Sequence, residues 1–193
     1  KHIAYCAGTE GMIGGQIVDL DAETRSISEE ELVYLCNRKT GALLRVPVLI
    51  AAALADQERY EKAELLLEYA DTIGLAFQIK DDIFDYFNDE KIGKPTGNDL
   101  REGKITLPLL HVLLNESLPH HDEMLALSKK EILNTDEINT LIEYAKQHGG
   151  IEYAYDTMQR LRDEAVEIIS QFPASQTRDH FIAIIDYIIS RDK

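Results

Sequence analysis

Three aspartates crowd into one short stretch of the sequence, at Asp81, Asp82 and Asp85. On a helix these carboxylates would lie within about one turn, where like charges repel by roughly a few tenths of a kcal/mol per pair. Mg²⁺ would remove that penalty, because it is bound in proteins through one or two carboxylates together with water and substrate phosphate oxygens. An acidic patch on a solvated helix would give the same pattern, so the motif predicts a metal site only together with its neighbours.

The neighbours include three lysines that could bind phosphate oxygens. Lys94 and Lys104 follow the aspartates in a glycine-punctuated segment, and Lys39 stands beside Thr40 in an otherwise apolar stretch. An ammonium group acts on a phosphate as a point charge. The plain alternative for Lys39 is a snorkelling side chain next to a threonine that bonds its own helix. With Gln78 as a neutral group one helical turn before the aspartates, we favour a site built for a diphosphate.

Composition limits the partners that the chain can have. Its 193 residues carry a formal net charge of -15, with 45% hydrophobic and 28% charged residues. Nucleic acids and anionic membranes both require a basic surface, so neither is an expected partner. No apolar run reaches the roughly 18 residues that a membrane span needs. The two cysteines, Cys6 and Cys36, have neither CxxC spacing nor a nearby His partner. A composition with so few cysteines fits a reducing, cytoplasmic compartment and argues against a disulfide framework.

The elements that would position these residues are helical. Glycine and proline are sparse, and β-branched residues do not alternate with polar ones, so we expect one all-α domain over residues 1–193. Ser28 with Glu31 predicts a capped helix start. Gln16 and Asp19 are expected to hydrogen-bond a neighbouring helix, and His120 and His121 to lie in a solvated loop. Helices are predicted over residues 3–20, about 58–88, 107–114, 136–148, 150–171 and 177–191.

Four blocks of the sequence, taken in order, resemble the trans-prenyl diphosphate synthases, which elongate isoprenoid chains head to tail. The blocks are residues 14–19, 39–43, 74–85, and 93–99 continuing to Lys104, and the ending over 186–193 is similar as well. The order and spacing of four separate motifs make chance agreement remote. The resemblance spans essentially the whole chain.

The resemblance implies an isoprenoid-synthase-type helical bundle around a central cavity, usually a homodimer. It also implies a Mg²⁺-dependent prenyltransferase that condenses isopentenyl diphosphate with an allylic diphosphate. Asp81, Asp82 and Asp85 would be the second aspartate-rich motif and would hold Mg²⁺. Substrate-binding residues would be Lys39, Thr40, Gln78, Lys94 and Lys104, with Lys39, Thr40 and Gln78 joining the aspartates in the catalytic set.

The sequence also departs from the family. A first aspartate-rich motif and an upstream basic site for isopentenyl diphosphate are not found in these 193 residues. We therefore expect a C-terminal portion without its N-terminal helices, and product length stays unpredicted. Two alternatives remain: a non-catalytic homologue that regulates a partner synthase, and a class I terpene cyclase. Terpene cyclases generally lack the blocks around Lys39 and Lys94, and a purely structural subunit has no need of three crowded carboxylates.

Overall fold

The computed structural model describes residues 1–22, 28–54, 60–87 and 96–191, and the regular secondary structure of these residues is helical throughout. This confirms the all-α prediction. The helices are α1 (His2–Ala7), α2 (Met12–Ala22), α3 (Glu29–Cys36), a π-helical segment (Asn37–Gly41), α4 (Ala42–Leu54), α5 (Tyr60–Phe84), α6 (Asn98–Arg101), α7 (Leu107–Leu113), α8 (His121–Ser128), α9 (Thr135–Gln147), α10 (Gly150–Ser170) and α11 (Gln176–Ser190). None of the helices in these ranges is long and apolar enough to cross a lipid bilayer.

The first predicted helix, over residues 3–20, is wrong in one respect, because it is two helices with a turn between them. Gly8 ends α1 with an extended backbone. A side chain at Gly11 would meet the backbone of Cys6, with the added Cβ only 2.8 Å from the Cys6 Cα. Gly8 and Gly11 therefore lie in a tight turn between α1 and α2.

The predicted capped helix start at Ser28 is confirmed. The Ser28 hydroxyl accepts from the Glu31 backbone N–H at 3.1 Å, and the Glu31 carboxylate accepts from the Ser28 backbone N–H at 3.1 Å. These reciprocal bonds satisfy two donors at the beginning of α3 that would otherwise lack helical partners. From there the chain runs through the π-helical segment directly into α4.

Residues 1–19, 33–78 and 158–193 form one compact unit. Its core is built from one face each of α5, α10 and α11, and includes the buried side chains of Tyr69, Ile169 and Ile185. The Tyr69 hydroxyl donates to the Phe181 carbonyl at 2.6 Å, which gives a buried polar group its partner. This unit carries Lys39, Thr40 and Gln78.

Residues 20–32 and 79–157 form the other compact unit. Its core gathers apolar side chains of α7, α8 and α9, among them Leu109, Ile138 and Leu141. This unit carries the three aspartates and Lys104. The organisation of the chain as a single domain stays a prediction.

The expectation of a solvated loop at His121 is wrong. His121 is the first residue of α8 and is 9% exposed. Its Nε2 lies 2.9 Å from the Leu113 carbonyl and its Nδ1 lies 3.1 Å from the Asp122 carboxylate. The carbonyl first and the carboxylate second raise the pKa of His121, because both acceptors favour the doubly protonated ring. The residue therefore links α7 to α8, whereas His120 is exposed.

Candidate functional site

Lys39 and Thr40 lie in the π-helical segment between α3 and α4. Such segments are rare interruptions of an α-helix and occur frequently at functional sites. The Lys39 Nζ donates to the Asp19 Oδ2 at 2.6 Å, and Gln16 Nε2 reaches the same oxygen at 3.4 Å. Asp19 is buried, whereas a third of the Lys39 side chain is exposed. The expected role of Asp19 as a link to another helix is borne out, and its partner is the lysine itself.

Thr40 and Gln78 come together in the same unit. The Thr40 hydroxyl donates to Gln78 Oε1 at 3.1 Å, across 38 positions of sequence. Close packing of α5 against the π-helical segment allows this contact, because a Cβ added at Gly74 would lie 3.3 Å from the Gly41 Cα. Two of the sequence blocks are thus joined by a hydrogen bond between polar, non-nucleophilic groups.

Asp81 and Asp82 lie in the last turn of α5. Asp82 is 4% exposed and Asp81 is half-buried. Their carboxylate oxygens are the kind of ligand that Mg²⁺ prefers. Within the described ranges, however, no group of three or more His, Cys, Asp or Glu side chains is arranged to hold a metal ion. Two carboxylates match the number that Mg²⁺ commonly takes from a protein, and the role of Asp81 and Asp82 as metal ligands stays a prediction.

Asp85 is placed differently from its two companions. It follows the end of α5, and its carboxylate accepts two backbone N–H groups, from Asn98 to Oδ1 and from Asp99 to Oδ2, each at 3.0 Å. The Asp85 carbonyl accepts the Gly97 N–H at 2.9 Å. Both of its carboxylate oxygens are thus occupied by amides at the beginning of α6.

Of the two lysines predicted downstream of the aspartates, Lys94 and Lys104, the structure describes only Lys104. Lys104 lies just after α6, with its backbone N–H bonded to the Asp99 carbonyl at 2.8 Å. Its Nζ is 2.6 Å from the carboxylate of Glu102, whose side chain is largely exposed. Exposed ion pairs of this kind contribute only about 0–1 kcal/mol. Lys94 lies outside the described residues.

Sequence reasoning missed Lys80, which is buried near the end of α5. Its ammonium lies 5.1 Å from the Phe84 ring centroid and 5.4 Å from the Tyr155 ring centroid. Cation–π contacts of this kind are favourable for a partly desolvated charge. The sequence did carry a signal for this contact, because Phe84 lies four positions after Lys80 and therefore on the same helix face.

Tyr86 was also missed. It is buried next to the aspartates, and its hydroxyl lies 3.1 Å from that of Thr106. Burial is the main reason that the pKa of Tyr86 is raised above its usual value. The residue therefore stays neutral and anchors the turn after α5 to the segment before α7.

The sequence model of the polyprenyl synthetase family matches residues 4–145. A short chain isoprenyl diphosphate synthase of Methanocaldococcus jannaschii is 40% identical over 141 residues, which are 72% of this chain and 42% of that protein.

Solved structures are similar in the same way. The crystal structure of geranylgeranyl pyrophosphate synthase from Bacteroides thetaiotaomicron has a TM-score of 0.82 and 34% identity, covering 93% of this chain and 60% of that one. A polyprenyl synthase from Caulobacter crescentus, complexed with calcium and isoprenyl diphosphate, has a TM-score of 0.80 and 26% identity. The match covers 94% of this chain and 56% of that one. The chain thus spans about half the length of these relatives. It belongs to the polyprenyl synthetase family.

Proposed function

We propose that this chain is the part of a trans-prenyl diphosphate synthase that carries the second aspartate-rich motif. The enzyme would condense isopentenyl diphosphate with an allylic diphosphate to make a longer trans-prenyl diphosphate. The observation that carries the proposal is the hydrogen bond between Thr40 and Gln78 beside the ion pair of Lys39 with Asp19. The names of the relatives support it, since they are isoprenyl and geranylgeranyl diphosphate synthases.

In this proposal Lys39 binds the diphosphate of the allylic substrate. Asp19 holds the lysine ammonium in one place through the 2.6 Å contact, so little reorganisation is needed when the leaving group departs. Thr40 and Gln78 present dipoles and no strong nucleophile, which suits a site where an allylic cation forms and must not be alkylated. The family resemblance assigns Lys104, which follows α6, to diphosphate binding as well.

Asp81 and Asp82 are the residues that would hold the divalent cation, which we propose to be Mg²⁺. When bound, it would neutralise negative charge on the leaving diphosphate. The calcium and isoprenyl diphosphate in the Caulobacter crescentus structure support a divalent cation in this family. Burial of Asp82 keeps water away from its carboxylate and strengthens its attraction for a cation.

We also propose that the enzyme is a cytoplasmic homodimer. Free cysteines are typical of a reducing compartment, and Cys6 and Cys36 are both buried free thiols. The exposed apolar side chains of Ile13 and Ile17 on α2 and of Leu43 on α4 support a surface that another protein segment covers.

Calorimetric binding of an unreactive allylic thiodiphosphate in the presence of Mg²⁺ tests the proposal. Lys39→Ala should weaken binding of the allylic analogue by about tenfold or more, since a charge-assisted contact contributes about 1.5–3 kcal/mol. Lys129→Ala, at an exposed lysine in the other unit, is the matched control and should leave the affinity unchanged. Isopentenyl diphosphate should be affected less than the allylic analogue. Equal losses for both ligands, or none, would contradict the proposal.

Activity is measured in the polypeptide expressed from its complete reading frame, with radiolabelled isopentenyl diphosphate and an allylic diphosphate. We expect chain-elongated products that disappear when Mg²⁺ is removed by chelation. A protein that instead cyclises the allylic substrate would favour the terpene cyclase alternative. One that binds a partner synthase but forms no product would favour a regulatory subunit.

A further inference from the structure

Asp85 makes three hydrogen bonds to consecutive residues after the aspartate motif. Its carbonyl accepts the Gly97 N–H at 2.9 Å, and its carboxylate accepts the Asn98 and Asp99 N–H groups at 3.0 Å each. We call these three bonds the Asp85 clasp. Each carboxylate oxygen of Asp85 therefore has a backbone N–H donor as its partner.

The segment held by the clasp is fixed from its other side as well. Gly97 has a left-handed backbone, with φ of 74°, and a Cβ there would overlap Ile138 and lie 3.2 Å from Ile142 of α9. Arg101 donates to the Thr96 carbonyl at 2.6 Å. The clasp therefore sets the position of a segment that is already docked on the core of its unit.

We propose that Asp85 is a positioning residue and that Asp81 and Asp82 alone supply the carboxylate ligands of the motif. Asp85 acts through α6, because the Asp99 whose N–H it holds accepts the Lys104 N–H at 2.8 Å. Its carboxylate thus fixes the backbone from which Lys104 extends. The effect on diphosphate binding rests on the proposed function, whereas the clasp itself does not.

The number of carboxylate ligands that Mg²⁺ needs is consistent with these separate roles. Two carboxylates are enough for Mg²⁺, which takes its other ligands from water and phosphate oxygens. The two N–H donors take one lone-pair site on each Asp85 oxygen and turn the carboxylate toward α6. Asp81 and Asp82 lie within α5, where backbone N–H groups bond inside the helix and leave side chains to other partners.

Amide hydrogen exchange, followed by NMR in the 193-residue chain, tests the clasp directly. In Asp85→Ala the amides of Asn98 and Asp99 should exchange at least about tenfold faster, because both lose their acceptor. In Asp85→Asn only one of these two amides should exchange faster, since the side-chain amide keeps a single acceptor oxygen. Asp81→Asn is the matched control, with the same charge change four residues earlier, and should leave both amides protected. Protection of both amides in Asp85→Ala overturns the proposal.

Binding of Mn²⁺ and inorganic pyrophosphate gives the second readout. Asp85→Ala and Lys104→Ala should each weaken pyrophosphate binding, and the double variant should be weaker than the worse single one by less than about twofold, because both act on one contact. Mn²⁺ alone should bind Asp85→Ala within about twofold of the unchanged chain. A tenfold loss of Mn²⁺ affinity with both amides still protected would make Asp85 a ligand and refute the inference. A chain that binds no pyrophosphate refutes the proposed function, while the exchange result still decides the role of Asp85.

Discussion

Gly15 offers a sharp test of how the chain holds Lys39. It lies on α2 where that helix meets the π-helical segment, and a Cβ added there would be 2.8 Å from both the Arg38 carbonyl carbon and the Lys39 Cα. Real Cβ atoms essentially never come within 3.0 Å of such atoms, and both neighbours are backbone that cannot rotate away. Gly15→Ala must therefore push α2 and the π-helical segment apart.

The expected cost follows from two opposing effects. Overpacking of a tight contact costs about 1–3 kcal/mol. Alanine in place of glycine within a helix returns up to about 1 kcal/mol through helix propensity. We expect a net loss of about 1–2 kcal/mol in the free energy of unfolding, because rigid backbone on one side puts the cost at the upper part of its range. The same displacement should lengthen the 2.6 Å contact of Lys39 with Asp19.

Urea denaturation followed by circular dichroism measures the change, with Gly41→Ala as the control. A Cβ at Gly41 would meet its nearest atoms at 3.7 Å, which is ordinary van der Waals contact, so that variant should be no less stable than the unchanged chain. Gly15→Ala should in addition bind the allylic thiodiphosphate more weakly. If Gly15→Ala is as stable as Gly41→Ala, α2 does not press against Lys39 and the account of the site is wrong.

Three further outcomes are expected. Asp82→Ala should lower turnover by roughly 10²–10³, the scale for losing an electrostatic stabiliser, with helicity unchanged by circular dichroism; near-normal turnover would exclude Asp82 from the site. Asn134→Ala should lower the unfolding free energy by about 1 kcal/mol through the lost capping box of α9, measured in urea. The pKa of His121 is raised on folding, so its stabilisation is complete below about pH 6.5 and fades as pH rises through the folded-state pKa. His121→Gln should flatten the pH dependence of stability between pH 5.5 and 8; an unchanged slope would show that another group titrates.

The amphipathic helices were predictable because their signals are local. Predicted ranges 136–148, 150–171 and 177–191 differ from α9, α10 and α11 by at most one residue at either end. Apolar residues at helical spacing and capping side chains such as Ser28 depend on neighbours within a few positions. The turn between α1 and α2, which interrupts the helix predicted over residues 3–20, depends instead on the close approach of Gly11 to the backbone of Cys6. Hydrophobic periodicity carries no signal for such a contact.

The site was predictable as a set of residues, through the family resemblance, and less so as a geometry. Asp85 fits a helical pattern with Asp81 and Asp82, and that pattern suggests three carboxylates on one surface. The chain leaves the helix first: the N–H groups of Asp85, Tyr86 and Phe87 each bond the carbonyl three residues earlier, which is a 3₁₀ ending. The tighter turn moves the third carboxylate toward α6, and only tertiary structure supplies its partners.

Under the proposed function, Lys39 and Lys104 would let an acidic chain bind an anionic substrate. Lys39 and Lys104 both have a carboxylate at 2.6 Å, but the two pairs differ in burial. Asp19 is 7% exposed, so it keeps the Lys39 ammonium in place, whereas Glu102 is 60% exposed and its pair is weakened by solvent. Under the proposed function, a diphosphate that binds Lys104 would displace an exposed Glu102, whereas one that binds Lys39 would share that lysine with the buried Asp19.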